Sequence, residues 1–129
     1  LQEYAYRILT NTGTPSYVDW LKDGATTLYE YWDVERKCSR NHHMYSDFMS
    51  WIMKTVVGIK ADFGRVEIAP YFFEKLDWAK GRCGQVGVNW RRADGKILLQ
   101  VEVPLQTQVI YKGEVLSAGT HHFEEICKS

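Results

Sequence analysis

The 129-residue chain balances 16 basic against 16 acidic residues and is 45% hydrophobic, enough apolar material for one full domain or two small ones. With zero formal net charge and no long block of either sign, it has neither the basic footprint of a nucleic-acid binder nor a polybasic membrane patch, and no stretch is long and apolar enough to span a bilayer. Cys38, Cys83 and Cys127 are widely spaced, make no CxxC pair and no complete disulfide framework, and are expected as buried thiols.

In chain order, Leu1, Tyr4, Ala5, Ile8 and Leu9 recur at helical spacing until Asn11, Gly13 and Pro15 interrupt them, which predicts the end of a helix over residues 1 to 10. The chain opens inside this pattern with Leu1, as a piece of a longer protein would. Thr14 can cap a second short helix with Pro15 at its first position, carrying Tyr17, Val18, Trp20 and Leu21 as far as Asp23-Gly24. Gly24 to Asp33 then reads as a loop entering a helical turn, and the polar, aperiodic residues 34 to 42 as a surface loop. Asn41 is placed to cap the next helix, whose buried stripe should be Met44, Phe48, Trp51, Ile52, Val56 and Ile59, with Gly58 near its end.

After Gly64 the period changes from helical to alternating. Val66 and Ile68 alternate before Pro70, Val86, Val88 and Trp90 before Arg91, and Ile97, Leu99, Val101 and Val103 after Asp94-Gly95. That Asp-Gly pair suits a turn needing positive φ, so residues 85 to 103 should form a central hairpin. Residues 76 to 80, 109 to 111 and 122 to 126 supply further strands, with Pro104 at a strand end. The chain is therefore expected to be α+β: helical over residues 1 to 63, and an antiparallel β-sandwich over residues 64 to 129. Three short helices with apolar stripes leave faces uncovered, to be closed by the rest of a larger domain or by a second copy of the chain.

Chemistry concentrates at Gly24-Ala-Thr-Thr-Leu-Tyr-Glu-Tyr-Trp-Asp33, where a carboxylate, Glu30, stands among aromatic rings. Tyr29, Tyr31 and Trp32 offer flat apolar faces with polar tips, suited to the C–H faces of a pyranose, and glycoside hydrolysis uses carboxylates in pairs. Asp33 lies three residues on and would share a helical face with Glu30, so it is expected to cap or position. Cys38, His42 and His43 are zinc-ligand types, but a structural site wants four ligands in paired spacings, and bringing in His121 and His122 would require a chance approach.

The string Gly24 to Asp33 resembles the glycine-alanine-threonine-threonine, apolar, tryptophan-glutamate-arginine-tryptophan-aspartate segment of family 78 α-L-rhamnosidases. Ser39-Arg40-Asn41-His42 resembles the serine and asparagine-histidine pair that follow it there, and Pro15-Ser16-Tyr17 its proline-serine-tryptophan turn. The similarity is strongest from Pro15 to Pro70. It implies the last helices of an (α/α)6 toroid followed by a C-terminal β-sandwich, in an inverting glycoside hydrolase that releases terminal α-L-rhamnose and needs no cofactor. By the same resemblance Glu30 is the general base, with its partner acid outside this chain, and His42 contacts sugar hydroxyls; Trp32 is expected either to support the subsite wall or to be a buried structural ring. A rhamnose-containing glycan as substrate would suit a periplasmic or extracellular setting. Two positions depart from the pattern. Tyr29 replaces a tryptophan, and Tyr31 replaces an arginine, removing a fixed positive charge beside Glu30. A non-catalytic carbohydrate-binding module using Trp78 and Trp90 is the alternative, although the register of Trp90 with Val86 and Val88 points it into the core, and a purely structural cap is a third reading.

Overall fold

A computed structural model describes residues 1–36 and 39–126. The chain divides into two compact units, Leu1–Ser50 and Trp51–Ser129.

The first unit contains helices α1 (Gln2–Leu9) and α2 (Tyr17–Lys22), and most of α3 (Asp47–Trp51). Ser16, not Thr14, caps α2: its hydroxyl accepts from the Asp19 N–H at 3.1 Å, and Ser16 is itself buried. The Thr14–Pro15 peptide is cis, and Pro15 precedes the cap rather than opening the helix. Residues 23–36 and 39–43 hold no helix, so Asn41 caps nothing and Glu30 and Asp33 do not share a helical face. Packing is aromatic. Trp20, 2% exposed, has its ring centroid 5.3 Å from Tyr17, 5.5 Å from Tyr29, 5.1 Å from Trp32 and 5.7 Å from Tyr45. Ring pairs at such spacings add about 0.5–1.5 kcal/mol each beyond burial, which is how so short a segment holds without long helices. No residue of α1 is buried, and Tyr4, Ile8, Leu21, Met44 and Met49 are exposed, so Met44 is not part of a buried stripe.

In the second unit a π-helix (Ile52–Val57) continues from α3 and stops at Gly58, φ 84°. The β region starts at Ile59, ahead of the alternation that begins after Gly64, because Gly58 turns the chain straight into β1 (Ile59–Asp62), which pairs antiparallel with β2 (Arg65–Ile68). Then follow β3 (Trp78–Cys83), β4 (Val86–Ala93), β5 (Lys96–Val103), β6 (Gln108–Tyr111), β7 (Glu114–Leu116) and β8 (Gly119–Ile126). They form two four-stranded sheets, ordered β1-β2-β6-β7 and β3-β4-β5-β8. The sandwich is antiparallel apart from one pair: β2 and β6 run parallel, with Val66 opposite Val109 and Ile68 opposite Tyr111. The long connection from β2 to β6 makes that pairing possible, and no periodicity in the sequence encodes it.

The expected hairpin is present, with Asp94 at φ 51° and Gly95 at φ 75° between β4 and β5. Ile97, Leu99, Val101 and Val103 of β5 are buried, as are Val86, Val88 and Trp90 of β4; each such side chain stabilises the fold by about 1.5–3 kcal/mol. The indole N–H of Trp90 donates to the Val56 carbonyl at 2.8 Å, and the Tyr71 N–H donates to the Thr55 carbonyl at 2.8 Å. These bonds satisfy carbonyls at the end of the π-helix that have no partner within it. Cys83 is an exposed free thiol rather than a buried one; Cys38 and Cys127 lie outside the described residues.

Candidate active site

The motif segment is held by a short backbone ladder. The Glu30 N–H donates to the Ser39 carbonyl at 3.0 Å, and the His42 N–H to the Leu28 carbonyl at 2.9 Å, while the Thr27 hydroxyl donates to the Arg40 carbonyl. Residues 27–30 and 39–42 thus lie side by side, which brings His42 next to Leu28, two positions from Glu30.

Glu30 is half-buried. Its Oε2 accepts from the Ser39 N–H at 3.3 Å, so the segment that fixes its backbone also fixes one carboxylate oxygen. Oε1 has no hydrogen-bond partner among the described residues, and such an oxygen can accept from a water or a hydroxyl. His42 is half-buried too. Its Nδ1 accepts from the Met44 N–H at 3.2 Å, which in the neutral ring assigns the proton to Nε2 and leaves that nitrogen as a donor. His43 stacks on His42 with centroids 5.4 Å apart and planes 4° from parallel.

The rings divide into core and surface. Tyr29 is buried, so its faces are not offered to a ligand. Its hydroxyl donates to Asp23 Oδ2 at 2.8 Å and accepts from Arg40 at 3.2 Å. Arg40 also pairs with Asp23 at 3.2 Å and lies over the Tyr29 ring at 4.8 Å. Burial, and then the bond to Asp23, push the phenol above its ordinary 10.0. Trp32 is half-buried, packed against Tyr17 at 4.8 Å and Tyr45 at 4.7 Å, and its carbonyl accepts from the Trp20 indole N–H at 3.3 Å. Tyr31 is exposed and carries the Arg36 guanidinium over its ring at 4.6 Å. A positive charge therefore reaches the residue next to Glu30 from five positions further on. Asp33 Oδ1 accepts from the Glu35 N–H at 3.0 Å, which makes it a turn residue.

Asp23, Arg36 and Arg40 escaped the sequence reading because each works through a contact across a loop that no periodic spacing announces. The one available signal was chemical, two arginines and an acid flanking a tyrosine-rich string. In the other unit, Trp90 is fully buried whereas Trp78 is 64% exposed.

A loop-borne, aromatic-framed carboxylate among short helices, followed by a β-sandwich, fits a glycoside-hydrolase domain joined to a C-terminal β-domain. Residues 1–56 match the bacterial alpha-L-rhamnosidase 6 hairpin glycosidase domain and residues 56–112 the bacterial alpha-L-rhamnosidase C-terminal domain. Over residues 1–112 the chain is thus similar to bacterial α-L-rhamnosidases, first in one domain and then in the next. Among its relatives are an alpha-L-rhamnosidase of Formosa agariphila, 28% identical over 118 residues, covering 79% of this chain and 13% of the relative, and one of Streptomyces avermitilis, 26% identical over 121 residues, covering 81% and 12%. The chain thus spans about an eighth of the length of these relatives. The solved alpha-L-rhamnosidase from Dictyoglumus thermophilum superimposes with a TM-score of 0.80 at 19% identity, over 94% of this chain and 18% of that one. At that identity the likeness is one of fold.

Proposed function

We propose that this chain is part of an inverting glycoside hydrolase that releases terminal α-L-rhamnose from glycans or glycosides, with Glu30 as its general base. The observation that carries the proposal is the state of Glu30: one oxygen held by the Ser39 N–H, the other without a partner among the described residues, in a half-buried aromatic setting. In an inverting reaction such a carboxylate deprotonates the water that attacks the anomeric carbon. An acid about 6.5–9.5 Å away, on the other side of the sugar, protonates the leaving oxygen; that acid would come from the rest of the parent protein. His42, with Nε2 as donor, contacts sugar hydroxyls, and the uncovered part of Trp32 lies against the ring.

The domain assignment belongs to the same reading. The helical stretch, residues 1 to 63 on sequence, is the last part of an (α/α)6 toroid, and residues 64 to 129 the C-terminal β-domain, to which strand β1 also belongs. The exposed side chains of α1 and α2 are then covered by the remaining toroid helices, or by a second copy of the chain.

The test is hydrolysis of p-nitrophenyl α-L-rhamnoside by the parent enzyme, wild type beside Glu30→Gln. A folded mutant should lose activity by at least ~10²-fold, the scale of general-base help, and the wild type should first release the β-anomer, as followed by NMR. A mutant with wild-type turnover would place the base elsewhere, and first release of the α-anomer would exclude inversion.

A further inference from the structure

The outer face of the sheet β3-β4-β5-β8 carries two cross-strand rows rich in polar side chains. Register puts Trp78, Arg91, Leu98 and Glu124 in one cross-strand row, and Lys80, Asn89, Gln100 and His122 in the next. Alternation along the strands sends Trp90, Leu99 and Val101 to the opposite, buried face, so the polar rows are not core positions turned outward. A depression of about 410 Å³ lies here, with Asn89, Arg91, Gln100 and His122 in its lining, and the Trp78 indole stands beside it in register with Arg91, 64% exposed.

The charges on this face are unevenly spent. Arg82 pairs with Glu102 across Gly87, the residue between them in register; the bridge closes so near that a Cβ on Gly87 would stand 3.1 Å from a Glu102 oxygen. Lys96 pairs with Glu124 at 2.6 Å. Lys80 and Arg91 have no ion-pair partner among the described residues. Two cations therefore remain open, around one exposed indole and the amides of Asn89 and Gln100.

Each of these groups suits a different part of an acidic sugar. The indole face takes the C–H face of a pyranose, the amides donate to and accept from hydroxyls, and the guanidinium fork matches a carboxylate, with the ammonium as a second point charge. Four strands span about 14 Å at ordinary spacing, room for a short oligosaccharide. A nucleic-acid strand fits less well, because it calls for successive stacking rings along a continuous basic track.

We propose that this face binds an anionic oligosaccharide bearing uronate carboxylates, with Trp78 as the stacking platform and Arg91 and Lys80 as the carboxylate contacts. The proposal is independent of Glu30: binding is read without turnover, so either reading can fail alone.

The test is a calorimetric titration of the 129-residue chain with trigalacturonic acid, beside maltotriose as neutral comparison and a short oligothymidylate. Trigalacturonic acid should bind saturably and more weakly as salt rises. Trp78→Ala and Arg91→Gln should each weaken it roughly tenfold, the scale of one stacking or charge-assisted contact, while Arg91→Lys restores part of the loss. Both side chains are exposed, and unchanged far-UV circular dichroism would establish that the variants are folded. Absence of trigalacturonate binding, equal affinity for maltotriose, tighter binding of the oligothymidylate, or affinity untouched by both variants would each overturn the proposal.

Discussion

At the scale of single residues, two glycines separate conformational strain from collision. Gly58 and Gly64 share a φ of 84°, yet a Cβ on Gly58 would come within 2.2 Å of the Pro70 nitrogen, whereas one on Gly64 meets nothing within 4 Å. Gly64→Ala should cost about 1–2 kcal/mol, the left-handed penalty alone. Gly58→Ala should cost at least ~2 kcal/mol more, because backbone must move; urea midpoints of the two variants compare them directly, and equal losses would contradict the collision. Tyr29→Phe removes a hydroxyl that both donates to Asp23 and accepts from Arg40, so thermal unfolding should report a loss of roughly 1–3 kcal/mol. Glu30 and His42 were legible as candidates from their neighbours in sequence. The Asp23–Tyr29–Arg40 cluster was not, since its members meet only when residues 27–30 and 39–42 come together.

Among the elements, the segment between β2 and β3 is held to the sheet in part by one side chain. Arg92 on β4 donates through Nε to the Leu76 carbonyl at 3.0 Å, and through one terminal nitrogen to the carbonyls of Phe72 at 3.2 Å and Phe73 at 2.8 Å. Its backbone N–H reaches the Asp77 carbonyl at 2.8 Å. Lysine cannot reproduce that fork. Arg92→Lys should destabilise by about 1.5–3 kcal/mol and raise amide exchange selectively over residues 72 to 77; uniform exchange would refute the local role. The elements that alternation and the Asp94-Gly95 turn announce appeared where expected, because strand period and turn chemistry are local. What stayed hidden depends on distant partners: the parallel β2–β6 pair, the π-helix satisfied by Trp90, and a helix cap at Ser16 rather than Thr14, decided by which hydroxyl reaches the Asp19 N–H.

Across the whole sandwich, the two sheets are joined at one edge by a titratable cluster. The Tyr111 hydroxyl, on β6, donates to Glu125 on β8, Lys112 reaches the same carboxylate at 2.6 Å, and the Tyr111 and Phe123 rings lie 4.5 Å apart. Burial alone would raise the Glu125 carboxyl, but the bonds from Lys112 and Tyr111 outweigh it and hold the group below its ordinary 4.5. Burial, reinforced by Glu125, drives the Tyr111 phenol well above 10.0. The signs follow from linkage. The depressed Glu125 stabilises the fold above pH 4.5, a contribution lost as pH falls through the lower folded value. The raised Tyr111 contributes fully below pH 10.0, and this contribution is lost as pH rises through the higher folded value. Glu125→Gln should therefore lower the melting temperature at pH 7 and shrink its fall between pH 7 and pH 3. An acid limb as steep as that of the wild type would assign the pH dependence to other carboxylates.

The Trp90 bond to the Val56 carbonyl bears on how this protein can be cut. The two matching family segments meet at residue 56, which invites a clone of the β-domain beginning at residue 57. Such a clone would leave an indole N–H buried without its acceptor, at a cost of about 1–3 kcal/mol, and would strip Met53 from beside Gly81. The inherited seam and the mechanical seam are thus different places, and an excised β-domain must keep its helical leader from Trp51 to fold as it does here.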